Sequence, residues 1–143
     1  MPPPVQTQRE RFLRDVPRSG DALVDWILKQ FVFFLRKETV RLKRKKRLID
    51  KDIDPHRRAL MGLISFDAGP SGEGIEITIN SAKSMHCNRD EEVETLIHEL
   101  CHIVFWKTWE HFIDQIERIL IKRLTVEQKT YLKSFLPRHE VKS

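Results

Sequence analysis

Apolar residues recur at near-helical spacing between residues 21 and 42, and this spacing predicts a first long helix. The apolar stripe consists of Leu23, Trp26, Ile27, Phe31, Phe34 and Leu35. Ser19 or Asp21 can cap its start, because both side chains accept hydrogen bonds from free backbone N–H groups. We expect the helix to continue into the basic run that follows and to end before Pro55.

Two short segments in the middle of the chain have the pattern of β-strands. In residues 74–81 (GIEITINS), three isoleucines alternate strictly with polar residues. This period of two predicts a strand with one buried face. A loop containing Gly, Pro and Ser joins it to residues 60–67 (LMGLISFD), so we expect the two segments to form a hairpin.

Three amphipathic helices are predicted after the hairpin. Apolar stripes run along the first two of them: Val93, Ile97, Leu100 and Val104 on one, and Phe112, Ile113, Ile116, Ile119 and Leu120 on the other. Asn88 with Glu91 fits a capping box at the start of the first. Thr125 and Gln128 form another, which opens a short last helix that stops at Pro137. The order helix, hairpin, three helices predicts an α+β fold.

The length and composition favour one globular domain. A chain of 143 residues, 40% of them hydrophobic and 33% charged, is long enough for a single core. We expect one domain over residues 1–143, with a flexible N-terminal segment at 1–18. No apolar run approaches the roughly 20 residues that span a bilayer, and no secretory signal pattern is visible. Two cysteines, Cys87 and Cys101, are too few for a disulfide framework, which favours the cytoplasm.

The net charge of +5 is concentrated in one basic run in the first half of the chain. Six basic residues lie within seven positions, namely Arg41, Lys43, Arg44, Lys45, Lys46 and Arg47. Such a run can bind nucleic-acid phosphates or another anionic partner, or it can be the solvated end of a long helix. No aromatic residues alternate with these charges, which argues against stacking on single-stranded bases.

The strongest chemical signal is His98-Glu99-Leu100-Cys101-His102, in the middle of the helix that follows the hairpin. Residues four apart share one face of a helix, so His98 and His102 present their imidazoles to the same point. Each can place a nitrogen about 2.0–2.1 Å from one zinc ion. Glu99 projects about 100° away around the helix, where it can reach a metal-activated water without being a ligand. The spacing therefore predicts a zinc site with Glu99 as general base.

This segment resembles the active-site helix of the zincin metallopeptidases, which carries His-Glu-x-x-His. The resemblance covers about half of the chain, from the hairpin to the helix after the motif. It implies a zinc-dependent hydrolase that cleaves protein or peptide substrates. It also implies a sheet before the helix whose edge strand binds the substrate in extended form, and residues 74–81 are the candidate for that strand.

Several residues after the motif can supply the third zinc ligand. The Gly-x-x-His continuation of the metzincins is absent, and so is the Asn-Glu-x-x-Ser-Asp of thermolysin-like enzymes. The next helix offers Glu110, His111, Asp114 and Glu117. Similarity to small gluzincin-like zincins of phages and bacteria favours Glu110, with Glu117 next. Similarity to the SprT-like proteases would instead select His111.

Five other residues near the motif have more than one interpretation. Cys101 is expected to be a small buried apolar residue. His86 and Cys87 precede the helix, and they either belong to its cap or approach the metal. Trp106 and Trp109 are expected to pack the turn after the helix, unless one of them lines a substrate pocket.

Two functional hypotheses follow from these observations. The first is a zinc metallopeptidase with His98, His102 and Glu110 as ligands. The second, which rests on the basic run, is a nucleic-acid-associated protein in which the zinc site is structural or vestigial. Neither hypothesis involves a membrane, and the sequence has no signal for an oligomeric state.

Overall fold

A computed structural model describes residues 15–37, 40–45, 62–68, 74–82 and 89–140. These residues form four helices and three strands: α1 (Ala22–Leu35), β1 (Val40–Lys45), β2 (Gly62–Ala68), β3 (Gly74–Asn80), α2 (Arg89–Val104), α3 (Glu110–Arg123) and α4 (Val126–Lys133). The combination of helices with a small mixed sheet confirms the predicted α+β class.

The first helix is shorter than predicted. Asp21 caps α1 by accepting hydrogen bonds from the backbone N–H groups of Leu23 and Val24, and the helix ends at Leu35. The prediction that it continues toward Pro55 is therefore wrong.

The first four residues of the basic run lie in the strand β1 instead of at a helical end. Leu42 packs against the core and Arg44 is buried, whereas Arg41 is exposed. Leu42 and Arg44 lie two residues apart and therefore point to the same, covered side of the strand. The strand pairing overrides the helical propensity of the lysines and arginines.

The three strands form one sheet in the order β1-β3-β2. β2 and β3 are antiparallel, which confirms the predicted hairpin, and Ile64 lies opposite Ile77. β1 runs parallel to β3 on the other side, with Leu42 opposite Ile77. The prediction that residues 74–81 are an edge strand is wrong, because β3 has a partner on each side. Its polar residues Thr78 and Asn80 are consequently buried beside the isoleucines.

The hydrophobic core lies between the sheet and the helices. Its largest buried side chains include Leu28 and Phe31 of α1, Ile77 and Ile79 of β3, Leu96, Ile97 and Leu100 of α2, Ile113 and Leu120 of α3, and Leu132 of α4. Removing each from water contributes roughly 1.5–3 kcal/mol. The predicted stripes of α1 and α3 are only partly correct, since Leu23, Trp26, Phe112 and Ile119 are exposed.

α2 is the central helix of the described structure. It packs against β2, β3 and each of the other three helices. Most of its surface is therefore buried. Cys101 is buried, as predicted, and its thiol is free, with a pKa that desolvation raises to about 12. The face that carries Glu94, His98 and His102 is less covered. The fold thus leaves one side of the motif accessible.

Side-chain hydrogen bonds cap the start of α4 and connect this helix to the N-terminal segment. Thr125 and Gln128 form the predicted capping box of α4, whereas Asn88, the predicted cap of α2, lies outside the described residues. Gln128 is fully buried and its side chain donates to the carbonyl oxygen of Pro17. Val16 is also buried, so the part of the N-terminal segment that the structure describes contacts the core.

Candidate metal centre

α2 brings the two histidines of the motif together. The Nε2 atoms of His98 and His102 lie 3.1 Å apart, and the rings meet edge-to-face with an interplanar angle of 75°. Both side chains are partly exposed. The two imidazole rings, one helical turn apart, therefore face a single point, as the sequence predicts.

Glu110, the first residue of α3, completes a group with these histidines. Its Oε1 lies 3.1 Å from Nε2 of His98, and its Oε2 lies 3.0 Å from Nε2 of His102. The three residues form a group that could hold a metal ion. Ligands in a tetrahedral zinc site lie about 3.3–3.4 Å apart when each is about 2.0–2.1 Å from the ion. The observed separations are close to that spacing.

Glu117, two turns further along α3, contacts the other nitrogen of His98. Its Oε2 lies 2.7 Å from Nδ1, and Oδ1 of Asp114 lies 3.5 Å from the same atom. The hydrogen bond with Glu117 is the main reason that the pKa of His98 is raised to about 9, against an opposing effect of desolvation. Asp114, Glu117 and His98 form a second group with metal-ligand chemistry, which shares His98 with the first.

Glu99 lies beside the first group without belonging to it. The residue as a whole is 9% exposed, and burial is the main cause that raises its pKa to about 7. The backbone of β2 packs closely here, because a Cβ atom built on Gly62 would lie 2.9 Å from Oε1 of Glu99. A glycine within a strand pattern can signal such a close approach, so Gly62 is the position in the sequence that carries this signal.

His111 is not part of the centre. It lies on the exposed side of α3, and its Nε2 is 3.3 Å from Nε2 of Gln115. Trp106 and Trp109 are 72% and 79% exposed, so the prediction that they pack the turn is wrong. Within the turn between α2 and α3, Phe105 packs against the core, whereas the ring centroid of Trp106 lies 4.9 Å from Nζ of Lys107. His86 and Cys87 lie outside those residues.

The basic run does not form one continuous cationic surface. Arg44 points inward and forms a two-pronged ion pair with Glu92, with N–O distances of 2.7 and 3.0 Å. Lys43 pairs with Glu76 at 3.2 Å on the neighbouring strand. Lys46 and Arg47 lie outside the described residues. At least two of the six basic side chains of the run thus form ion pairs within the protein.

Comparisons with protein-family models, with curated proteins and with solved structures found no match to this chain. Among the described helices, none has the length and apolar character needed to cross a membrane.

Proposed function

We propose that this protein is a zinc-dependent metallopeptidase in which His98, His102 and Glu110 hold the ion. The observation that supports this most strongly is the convergence of three side chains from two helices. The two Nε2 atoms lie 3.1 Å apart, and each lies 3.0–3.1 Å from a different carboxylate oxygen of Glu110. Without a cation, the two imidazole nitrogens and the carboxylate could lie at these distances only if protons between them formed hydrogen bonds. A divalent cation satisfies all three at once.

The choice of zinc rests on the chemistry of the donors. Two imidazole nitrogens and one carboxylate oxygen are a common set in catalytic zinc sites, which leave a further position for water or substrate. The side chain of Glu110 is 62% exposed, so the group is open on one side. A structural zinc site, in contrast, is normally closed by four protein ligands.

Glu99 is the residue to which we assign proton transfer. A zinc ion bound at this centre would acidify a water molecule and polarise a substrate carbonyl group. Glu99 would accept the proton of that water and then donate it to the leaving amine. Its position next to the ligands, but outside the ligand group, supports this role.

The substrate strand is assigned to β2 in place of β3. Within the described part of the chain, β2 has a partner on one side only, and Gly62 at its start lies against Glu99. An extended peptide can add to such an edge through backbone hydrogen bonds. Pairing along β2 would bring a peptide bond toward the centre.

Two measurements test the proposal together. Purified protein should contain about one zinc ion per chain, and this zinc should be lost in Glu110→Ala but kept in His111→Ala, the matched control on the same turn. Glu99→Gln should keep the zinc and abolish cleavage of casein. A wild-type protein that binds no zinc, or a Glu99→Gln variant as active as wild type, would contradict the assignment.

A further inference from the structure

α3 and the residue before it carry a row of large apolar side chains that the described structure leaves largely exposed. Trp109, Phe112 and Ile119 are 79%, 51% and 49% exposed, and Ile116, between the last two, is partly buried. We call these four residues the outer stripe. They follow one another at intervals of three, four and three positions. This spacing lines up side chains along one side of a helix, and in coiled coils it forms the seam that a second helix covers.

The outer stripe lies on the side of α3 that faces away from the metal centre. Ile113 and Leu120 form the buried face of the helix. With about 100° between successive residues, Phe112 and Ile119 project roughly 100° to one side of that face. The acidic residues of α3 that contact His98 project to the other side. The stripe is therefore separate from the metal centre, and both could be occupied at once.

The charged residues of α3 are divided between two sides of the helix. All three acidic residues, Glu110, Asp114 and Glu117, have a carboxylate oxygen within 3.5 Å of a ring nitrogen of His98. On the other side, the flank of α3 next to the outer stripe carries only polar and basic residues. These are His111, Gln115, Arg118 and Lys122, and all four are exposed. An apolar row with a positively charged border therefore faces solvent in the described structure.

We propose that the outer stripe is a docking site for an amphipathic helix of another protein, one that carries acidic residues beside its apolar face. The stripe is straight and extends for about 15 Å along the axis of α3, which suits a rod-shaped partner. Amphipathic helices bind other proteins through apolar side chains at this same spacing. Acidic residues beside the partner's apolar face would lie against the basic flank of α3.

The charge of the stripe's border argues against the occupants that this chain itself could supply. A second copy would bring its own basic flank against this one, and α3 has no acidic residue on that side to offset the repulsion. Residues 1–14 and 46–61 are the longest segments outside the described residues, and each contains more basic than acidic residues. Charge complementarity therefore favours an acidic partner from outside the chain.

The test uses two fluorescently labelled peptides of about three heptads, with leucine at the seam positions and either glutamate or lysine beside them. All proteins carry Glu99→Gln, so that the peptides are not cleaved. Fluorescence anisotropy at low salt should show that the glutamate peptide binds about tenfold or more tightly than the lysine peptide. Phe112→Ala should weaken this binding about tenfold or more. Trp26→Ala is the matched control, because Trp26 is an aromatic residue of α1 that is 50% exposed.

A charge reversal tests the flank separately from the apolar row. The double variant with Arg118→Glu and Lys122→Glu changes only exposed side chains, and it should bind the lysine peptide more tightly than the glutamate peptide. Equal binding of the two peptides to the unreversed protein, or no binding of either, would overturn the proposal.

Two further measurements distinguish the other occupants. A dimer in sedimentation equilibrium that dissociates in Phe112→Ala would assign the outer stripe to a second copy and overturn the proposal. Binding to phosphatidylglycerol vesicles that is lost in Phe112→Ala would assign it to a membrane surface, with the same consequence. None of these readouts uses zinc or peptide cleavage, so their failure leaves the proposed peptidase function standing.

Discussion

The Nδ1 atom of His98 lies 2.7 Å from Oε2 of Glu117, so the carboxylate of α3 determines which ring nitrogen faces the other donors. With an ion bound as proposed, Nδ1–H would donate to Glu117, and the lone pair of Nε2, which lies on the side of Glu110 and His102, would be free to bind the ion. A metal-binding histidine is commonly oriented by such a second carboxylate. Glu117 was the alternative third ligand in the sequence analysis, but its contact with Nδ1 suits an orienting role.

Substitution of Glu117 should weaken zinc binding without abolishing it. Loss of a residue that orients a ligand typically costs about 10–100-fold in metal affinity. We expect Glu117→Leu near the upper end, and Glu117→Gln near the lower end because its amide oxygen still accepts the hydrogen bond. Affinity is measured by competition with a chromogenic chelator, with Gln115→Ala as the control on the same helix. A complete loss of zinc in Glu117→Leu, with Glu110→Ala unaffected, would reverse the two assignments.

Gly62→Ala should impair catalysis while sparing the metal. The new methyl group would lie 2.9 Å from both Oε1 of Glu99 and Cγ2 of Thr95, so the carboxylate must move. We expect kcat/KM to fall about tenfold or more, since proton transfer contributes about 10²–10⁴-fold and depends on geometry. Zinc content should stay near one per chain. Ser65→Ala, at an exposed position on the same strand, serves as the control. Full activity in Gly62→Ala would argue against the assigned position of Glu99.

Arg44→Gln should destabilise the fold strongly. Glu92 is buried, and removal of its partner leaves an uncompensated charge in the interior, at a cost of about 3–5 kcal/mol. The same substitution also removes the hydrogen bond from Nη1 of Arg44 to the carbonyl oxygen of Arg138. Urea denaturation measures the free energy of unfolding. Lys43→Gln breaks the more exposed pair with Glu76 and should cost no more than about 1 kcal/mol. Equal effects of the two substitutions would refute the buried pair.

Nucleic-acid binding by the basic run stays a prediction, and its test must spare Arg44. Replacement of all the basic residues would confuse loss of a binding surface with loss of stability. A triple variant with Arg41, Lys43 and Lys45 changed to glutamine removes charge from β1 while the buried pair is kept. If the run binds phosphates, duplex DNA affinity should fall uniformly across sequences and its salt dependence should become shallower. Unchanged DNA retention in the triple variant would exclude this strand as the contact.

Asp25 should make the fold sensitive to acid. Desolvation acts to raise the pKa of Asp25, but hydrogen bonds from Ser19, Gln128 and Gly20 outweigh it and hold the pKa below 3.8. A lowered folded-state pKa means that the stabilisation is present above about pH 4 and is lost as the pH falls through the folded value. Asp25→Asn should therefore cost about 1–2 kcal/mol at pH 7, and less as the pH falls below 4. Urea denaturation of both proteins between pH 2.5 and 7, in steps of about half a unit, measures this. A constant difference across that range would contradict the prediction.

Structural features that depend on residues close together in the chain were predicted well. The hairpin, the cap at Asp21 and the capping box at Thr125 each depend on residues close together in the chain. The convergence of His98 and His102 is of the same kind, because the geometry of one helical turn brings them together. The α+β class follows from the order of such local elements.

Features that depend on distant residues were predicted poorly. The parallel pairing of β1 with β3 joins segments about 35 residues apart, and a lysine- and arginine-rich segment carries no local mark of it. The exposure of Leu23 and Trp26 was not predicted, for a similar reason. The helical period identifies a broad apolar face, but it does not tell which part of that face the rest of the protein covers.

For this protein, the sequence alone determined that two histidines face one point with a glutamate beside them, since the geometry of the helix places these residues whatever surrounds it. Only the tertiary structure decided which acidic residue of α3 meets the Nε2 atoms and which meets Nδ1. The same is true of the burial of Glu99 against β2. These relationships depend on how α3 and the sheet pack on α2, and that packing is set by the whole core, not by any one segment.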